Sequence, residues 1–194
     1  HLSTADPRLV GEANAIAIGR TNYDVADQLA NLGMEAIHPK AAKGLRCNNI
    51  TLSVRNTFEP DHPGTLITGD YVSDSPRVEI IAGCKGIYAL EVFDQGMTAN
   101  VDFYDQQLIS LIRRFKGRVV SKDLNANTIT HYLSTNLKTI KRLVNEINAK
   151  FPEAEINQSK VAIVSAIGSN MKVPGILAQT VGALAEQNIS VLAM

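Results

Sequence analysis

Val161-Ala162-Ile163-Val164-Ser165-Ala166-Ile167-Gly168-Ser169-Asn170-Met171-Lys172-Val173-Pro174-Gly175 is the stretch on which the fold turns. Seven small or apolar residues, Val161–Ile167, read as a strand. Gly168 lets the chain leave that strand sharply. Pro174 suits the first turn of a helix, where its missing N–H costs nothing. Gly175 keeps the N-terminal N–H groups of that helix open to an anion. Ile176, Leu177, Val181 and Leu184 then recur at helical spacing, and Ile189–Leu192 reads as a second strand. The same pattern occurs earlier in the chain. Val92 matches Val164, Gly96 matches Gly168, Val101 matches Val173, Ile109 matches Val181, Ile112 matches Leu184, and Val119 matches Val191. Each unit is strand, loop, helix, strand. The first continues through a hairpin at Asn125-Ala126-Asn127, a returning strand Ile129–Leu133 and an amphipathic helix carrying Leu137, Ile140, Val144, Ile147 and Phe151. Ile156 belongs to a further short strand. The order is βαββαβ, and two copies of one module explain the chain better than one irregular domain.

Outward from this repeat, Val78–Ala82 and Tyr88–Phe93 read as strands, and Leu108, Leu111, Ile112 and Phe115 share one helical face. Asp102 is expected to cap that helix. Residues 57–76 hold Pro60, Pro63, Gly64, Gly69 and Pro76 and are expected to be loop, a domain boundary. Ahead of them, Asn22 is expected to cap a helix that stops at Gly33, His38-Pro39 opens another through Leu45, and Ile50–Val54 alternates as a strand.

The formal net charge is zero over 194 residues, with 19 basic and 19 acidic side chains, which disfavours nucleic-acid or anionic-membrane partners. Arg113, Arg114, Lys116 and Arg118 cluster at a helix end and the following turn, where basic residues suit the dipole. No apolar run is long enough to span a bilayer. The two cysteines, Cys47 and Cys84, fit no metal spacing, nor do His1, His38, His62 and His131; a reduced, cytoplasmic setting is expected. Both the opening residues and the last apolar run read as the interior of larger units, so a piece of a longer chain is expected.

The segment Gly168–Gly175 with the helix Ile176–Glu186 and Asn188–Val191 resembles an ACT domain, a small module that binds amino acids and regulates metabolic enzymes. The resemblance implies a ferredoxin-like α/β (α+β) fold for both copies. For the second copy two readings stand, a loop holding an amino-acid carboxylate or a plain strand-to-helix turn. In the first copy Asp102 stands where a ligand carboxylate would be received. The front segment is similar to the end of an aspartokinase catalytic domain of the amino-acid-kinase type. The matching runs are Ser3-Thr4-Ala5-Asp6-Pro7-Arg8, Tyr23-Asp24, Gly33-Met34-Glu35-Ala36-Ile37-His38-Pro39, Val54–Pro60 and Pro63–Ile67. The divergent first module and the Gly33–Pro39 variant are similar to aspartokinases associated with ectoine biosynthesis.

This resemblance implies three segments: residues 1–67 as the end of the kinase domain, 86–160 as a first, inserted ACT domain, and 77–85 with 161–194 as a truncated second one whose early strand, Arg77–Gly83, pairs within it. The parent would transfer a phosphoryl group from ATP, with Mg2+, to the side-chain carboxylate of L-aspartate. This part would hold no catalytic residue and no cofactor of its own. Thr4, Asp6 and Arg8 would be the nucleotide-side fringe, Arg8 neutralising phosphate; a structural turn with a solvated Arg8 is the other reading. Glu35 replaces a nucleotide-contacting lysine of many members. His38 is read as a packing residue at a helix start. An effector would lie between the first ACT domains of a homodimer, against Met97, Asn100 and Val101 of the loop Gln95–Asp102, and backbone groups of Val119 and Val120. Lysine-sensitive members carry an acidic residue where Val120 stands, so lysine would lose an anionic partner here. Two other readings remain, a stand-alone ACT sensor and an aspartokinase regulatory subunit; neither a nucleic acid nor a membrane is expected as partner.

Overall fold

The computed structural model describes residues 1–33 and 37–194. The chain forms two compact units: His1–Gly83 with Val164–Met194, and Cys84–Ile163 between them.

In the first unit, β1 (Leu2–Ser3) pairs antiparallel with β2 (Ala17–Ile18), and α1 (Pro7–Val10) lies in the connection. A three-stranded sheet follows, from β3 (Arg20–Asn22), β4 (Leu52–Val54) and β5 (Thr65–Thr68), with β5 in the middle. β5 runs parallel to β3 and antiparallel to β4. Two helices, α2 (Tyr23–Asn31) and α3 (Pro39–Cys47), complete the segment. Asn22 caps α2 as expected, its Oδ1 accepting the Val25 N–H at 2.9 Å. His38 caps α3 through Nδ1, which accepts the Lys40 N–H at 3.2 Å. The expected loop over 57–76 is corrected: it contains β5, whose Ile67 is fully buried among Leu2, Tyr23, Val25, Leu29 and Ile80. Proline and glycine at both flanks hid a four-residue strand that burial, not local propensity, selects.

The second unit is built on β6 (Ile80–Phe93), α4 (Val101–Arg114), β7 (Arg118–Leu124), β8 (Thr128–Ser134), α5 (Leu137–Lys150) and β9 (Glu155–Ile167). The sheet order is β7-β8-β6-β9. The first and third strands of the module are therefore central, which is the ferredoxin-like βαββαβ arrangement. Tyr88 pairs with Leu133, Leu90 with His131 and Val92 with Ile129. These side chains form one core with Leu108, Leu111 and Ile112 of α4 and with Ile140, Leu143 and Ile147 of α5.

Several element boundaries differ from the sequence reading. The two strands expected on either side of Gly83-Cys84 are one, β6, and Ile156 and Val161–Ile167 belong to one strand, β9. β6 continues through Gly83 and Gly86 without a break. Asn100, not Asp102, is the residue ahead of α4, and Asp102 sits in its first turn. Pro174 precedes α6 (Ile176–Glu186), and Gly175 takes the N-cap position with φ 97°. Residues 189–194, where a strand is expected over Ile189–Leu192, form none; Ile189 and Leu192 are exposed.

Candidate functional site

Thr4 is a junction of the first unit. Its N–H donates to Ile16 O at 2.8 Å, its Oγ1 accepts the Ile16 N–H at 3.0 Å, and its carbonyl accepts the Ile81 N–H at 2.8 Å. It borders a cleft of about 360 Å³ whose wall includes Ile18, Arg20, Tyr71, Arg77 and Glu79. The Arg20 guanidinium lies 5.4 Å from the Tyr71 ring centroid and 3.7 Å from Asp70. Asp6 and Arg8 are not in this cleft wall. Asp6 caps the short α1, and Arg8 folds back on it: Asp6 Oδ1 accepts the Arg8 backbone N–H at 2.9 Å, and Oδ2 accepts from the guanidinium at 2.9 Å. The Arg8 hydrogen bonds hold the exposed Asp6 carboxyl below its ordinary range. Of the three residues expected at the nucleotide, Asp6 and Arg8 are brought together and Thr4 lies at a cleft edge. An exposed pair of this kind opens at little energetic cost. Glu35 lies outside the described residues.

In the second unit the loop after the first strand is tied down by Asp94. Its carboxylate accepts the Gly96 N–H at 2.7 Å and the Tyr104 hydroxyl at 2.8 Å. That bond, followed by burial, pushes the Tyr104 hydroxyl pKa up. Tyr104 also stacks on Phe151, with centroids 4.6 Å apart. Within this loop Met97 is wholly buried in the core, so its side chain is not presented to a ligand. Asn100 is exposed and makes no side-chain cap for α4; its carbonyl accepts the Phe103 N–H at 3.0 Å. Val101 and Val119 pack at the edge of the core. Val120 is buried and sits at a register shift between Val119 and Ser121, a bulge in β7. A bulge re-aims the backbone locally and recurs beside binding sites. Among the described residues, no three His, Cys, Asp or Glu side chains converge on a metal position. No helix among them is long and apolar enough to cross a membrane.

Residues 153–194 match the family model described as an ACT domain. The whole chain is 55% identical, over 194 residues, to an aspartate kinase, Ask_Ect, of Stutzerimonas stutzeri, of which it spans 40%. Along its whole length the chain is similar to aspartate kinases. The bifunctional aspartokinase/homoserine dehydrogenase of Haemophilus influenzae is 28% identical over 98% of this chain, which covers 24% of that protein. The fold agrees. The aspartate kinase of Clostridium acetobutylicum superposes with a TM-score of 0.85 over 99% of this chain and 45% of its own, at 20% identity. E. coli aspartokinase III, solved with lysine and aspartate, gives 0.78 over 100% of this chain and 43% of its own, at 20% identity. This chain thus spans less than half of each of these four proteins.

Two features of this aspartate-kinase relative escaped the sequence reading. The Asp94–Tyr104 tie joins residues on opposite sides of a loop, and nothing in the spacing marks it. Glu79, beside the cleft, is a buried carboxylate in what reads as a strand; only its hydrogen bonds, made across the fold, disclose what it does.

Proposed function

We propose that this chain is the regulatory portion of an aspartate kinase, together with the end of its catalytic domain in residues 1–67. The parent phosphorylates the side-chain carboxylate of L-aspartate with ATP and Mg2+, at the start of aspartate-family amino-acid or ectoine biosynthesis in the cytoplasm. The observation that carries this reading is the 55% identity, without truncation of this chain, to one aspartate kinase. Residues 86–160 act as the first ACT domain, inserted into a second formed by 77–85 and 161–194; the compactness of Cys84–Ile163 supports that division. The same support comes from the Glu79 N–H, which donates to Ile167 O at 2.9 Å.

Thr4 and Arg8 stand at the nucleotide side, Arg8 leaving Asp6 to meet phosphate. The effector binds between two copies of the first ACT domain. Asn100 and the backbone of Met97, Val101, Val119 and Val120 line that site. Met97 contributes no side chain, since its own is in the core. The test is ATP-dependent formation of aspartyl hydroxamate. The full-length parent is expected to form it and this chain alone is not; a full-length parent that phosphorylates another acid and not aspartate would overturn the reading.

A further inference from the structure

Glu79 is 9% exposed, and its carboxylate is held by three neutral donors. Oε2 accepts the Ser169 backbone N–H and, at 2.7 Å, the Ser169 hydroxyl; Oε1 accepts the Tyr71 hydroxyl at 3.3 Å. The Ser169 hydroxyl is aimed. Its oxygen accepts the Ser73 N–H at 2.9 Å, which leaves its proton for the carboxylate. The loop itself is fixed independently of Glu79. Asn170 Nδ2 donates to Ser73 O at 2.9 Å, and the Arg77 N–H donates to Asn170 O at 3.2 Å. Gly168 admits this close approach, because a Cβ there would lie 2.5 Å from Arg77 O. A backbone N–H and an oriented hydroxyl converging on one oxygen is a carboxylate-binding arrangement.

We propose that the loop Gly168–Asn170 is a carboxylate-binding site whose ligand is this chain's own Glu79. The site is full in the resting protein, so free amino acids do not enter it. This stands apart from the effector reading of Cys84–Ile163, which uses different residues.

The test uses the full 194-residue chain and begins with the wild type. Amide hydrogen exchange at Ser169 is expected to be slow, and exchange at the rate of an unprotected loop amide would overturn the proposal. In E79A, Ser169 exchange is expected to rise at least about tenfold. Sodium acetate, against sodium chloride at equal ionic strength, is then expected to restore protection and raise the melting temperature of E79A, with no such effect on the wild type. A folded E79A that responds equally to both salts would sink the idea. So would a wild-type chain in which alanine or glycine shifts the Ser169 amide resonance at millimolar concentration. Should E79A fail to fold, E79Q keeps the shape and one acceptor oxygen; faster Ser169 exchange in it supports the proposal, and unchanged exchange refutes it.

Discussion

His131 sits on the core side of β8, between Ile129 and Leu133, where the alternation of the strand supplies apolar side chains on either side. It is fully buried, and neither ring nitrogen has a hydrogen-bond partner among the described residues. Three groups face it. Asp105 of α4 lies 3.5 Å away, Lys122 of β7 is opposite in register and bonded to Asp105 at 2.8 Å, and Leu90 of β6 is its other partner. Burial is the largest influence and pushes its pKa down from 6.5 to about 4, with Asp105 opposing and Lys122 assisting. At neutral pH the ring is therefore uncharged and the contact with Asp105 is no ion pair. Between pH 6.5 and about 4 the unfolded chain binds a proton that the folded chain refuses, so stability falls as the pH drops through that window. Unfolding free energies from urea titrations at pH 7, 6 and 5 are expected to decline with a slope approaching about 1.4 kcal/mol per pH unit. His131→Leu is expected to flatten that decline. Asn22 carries a second prediction at this scale. It caps α2 and donates from Nδ2 to Tyr71 O at 2.8 Å, so Asn22→Ala is expected to cost about 1–2 kcal/mol in urea unfolding.

At the scale of elements, the helices followed their sequence signals closely because their information is local: an Asn or His at the cap, an apolar stripe, a stop. α4 buries Leu108, Leu111 and Ile112 and α5 buries Ile140 and Ile147, as periodicity selects, while Leu137 in the first turn of α5 is exposed and Val144 and Phe115 are half-buried. Strands did worse. β5 lay inside a stretch dense in Pro and Gly, and the apolar run at 189–192 is not a strand, because pairing is decided by a neighbour that sequence does not name. Gly168 illustrates a right residue for a different reason. The sequence suggests a sharp departure from the strand, but its φ is not positive, and what requires glycine is the 2.5 Å approach to Arg77 O. Gly168→Ala is expected to destabilise the first unit by about 1–3 kcal/mol, read from the thermal midpoint. The loop after β6 depends on Tyr104, and Tyr104→Phe removes the hydroxyl from a buried carboxylate. It is expected to cost about 1–2 kcal/mol and to raise hydrogen exchange over residues 95–100.

Over the whole molecule, the chain leaves one compact unit along β6 and returns to it along β9. Of the internal repeat found by matching Val92 with Val164 and Gly96 with Gly168, the first copy is β6, α4 and β7, and the second is β9 and α6 without the expected closing strand. Its prediction concerns the effector. Val120 is buried at a bulge in β7 and carries no charge, so the effector site proposed above has no carboxylate at this position. Isothermal titration of the intact parent enzyme is expected to show lysine binding weaker than about 1 mM, if any. Tight lysine binding at this position would refute the expectation that an uncharged Val120 weakens it.

By itself, the sequence determined the βαββαβ order of Cys84–Ile163, the capped helices, and the kinship that the runs at 1–67 and 161–194 disclose. All of these rest on residues close together in the chain or on a pattern repeated along it. Tertiary structure alone decided that Met97 points inward, that Asp6 and Arg8 hold each other, that 65–68 is a strand, and that Ser169 grips Glu79. Those facts join groups far apart in sequence or depend on which side of an element meets the core, and a linear pattern carries no distance between them.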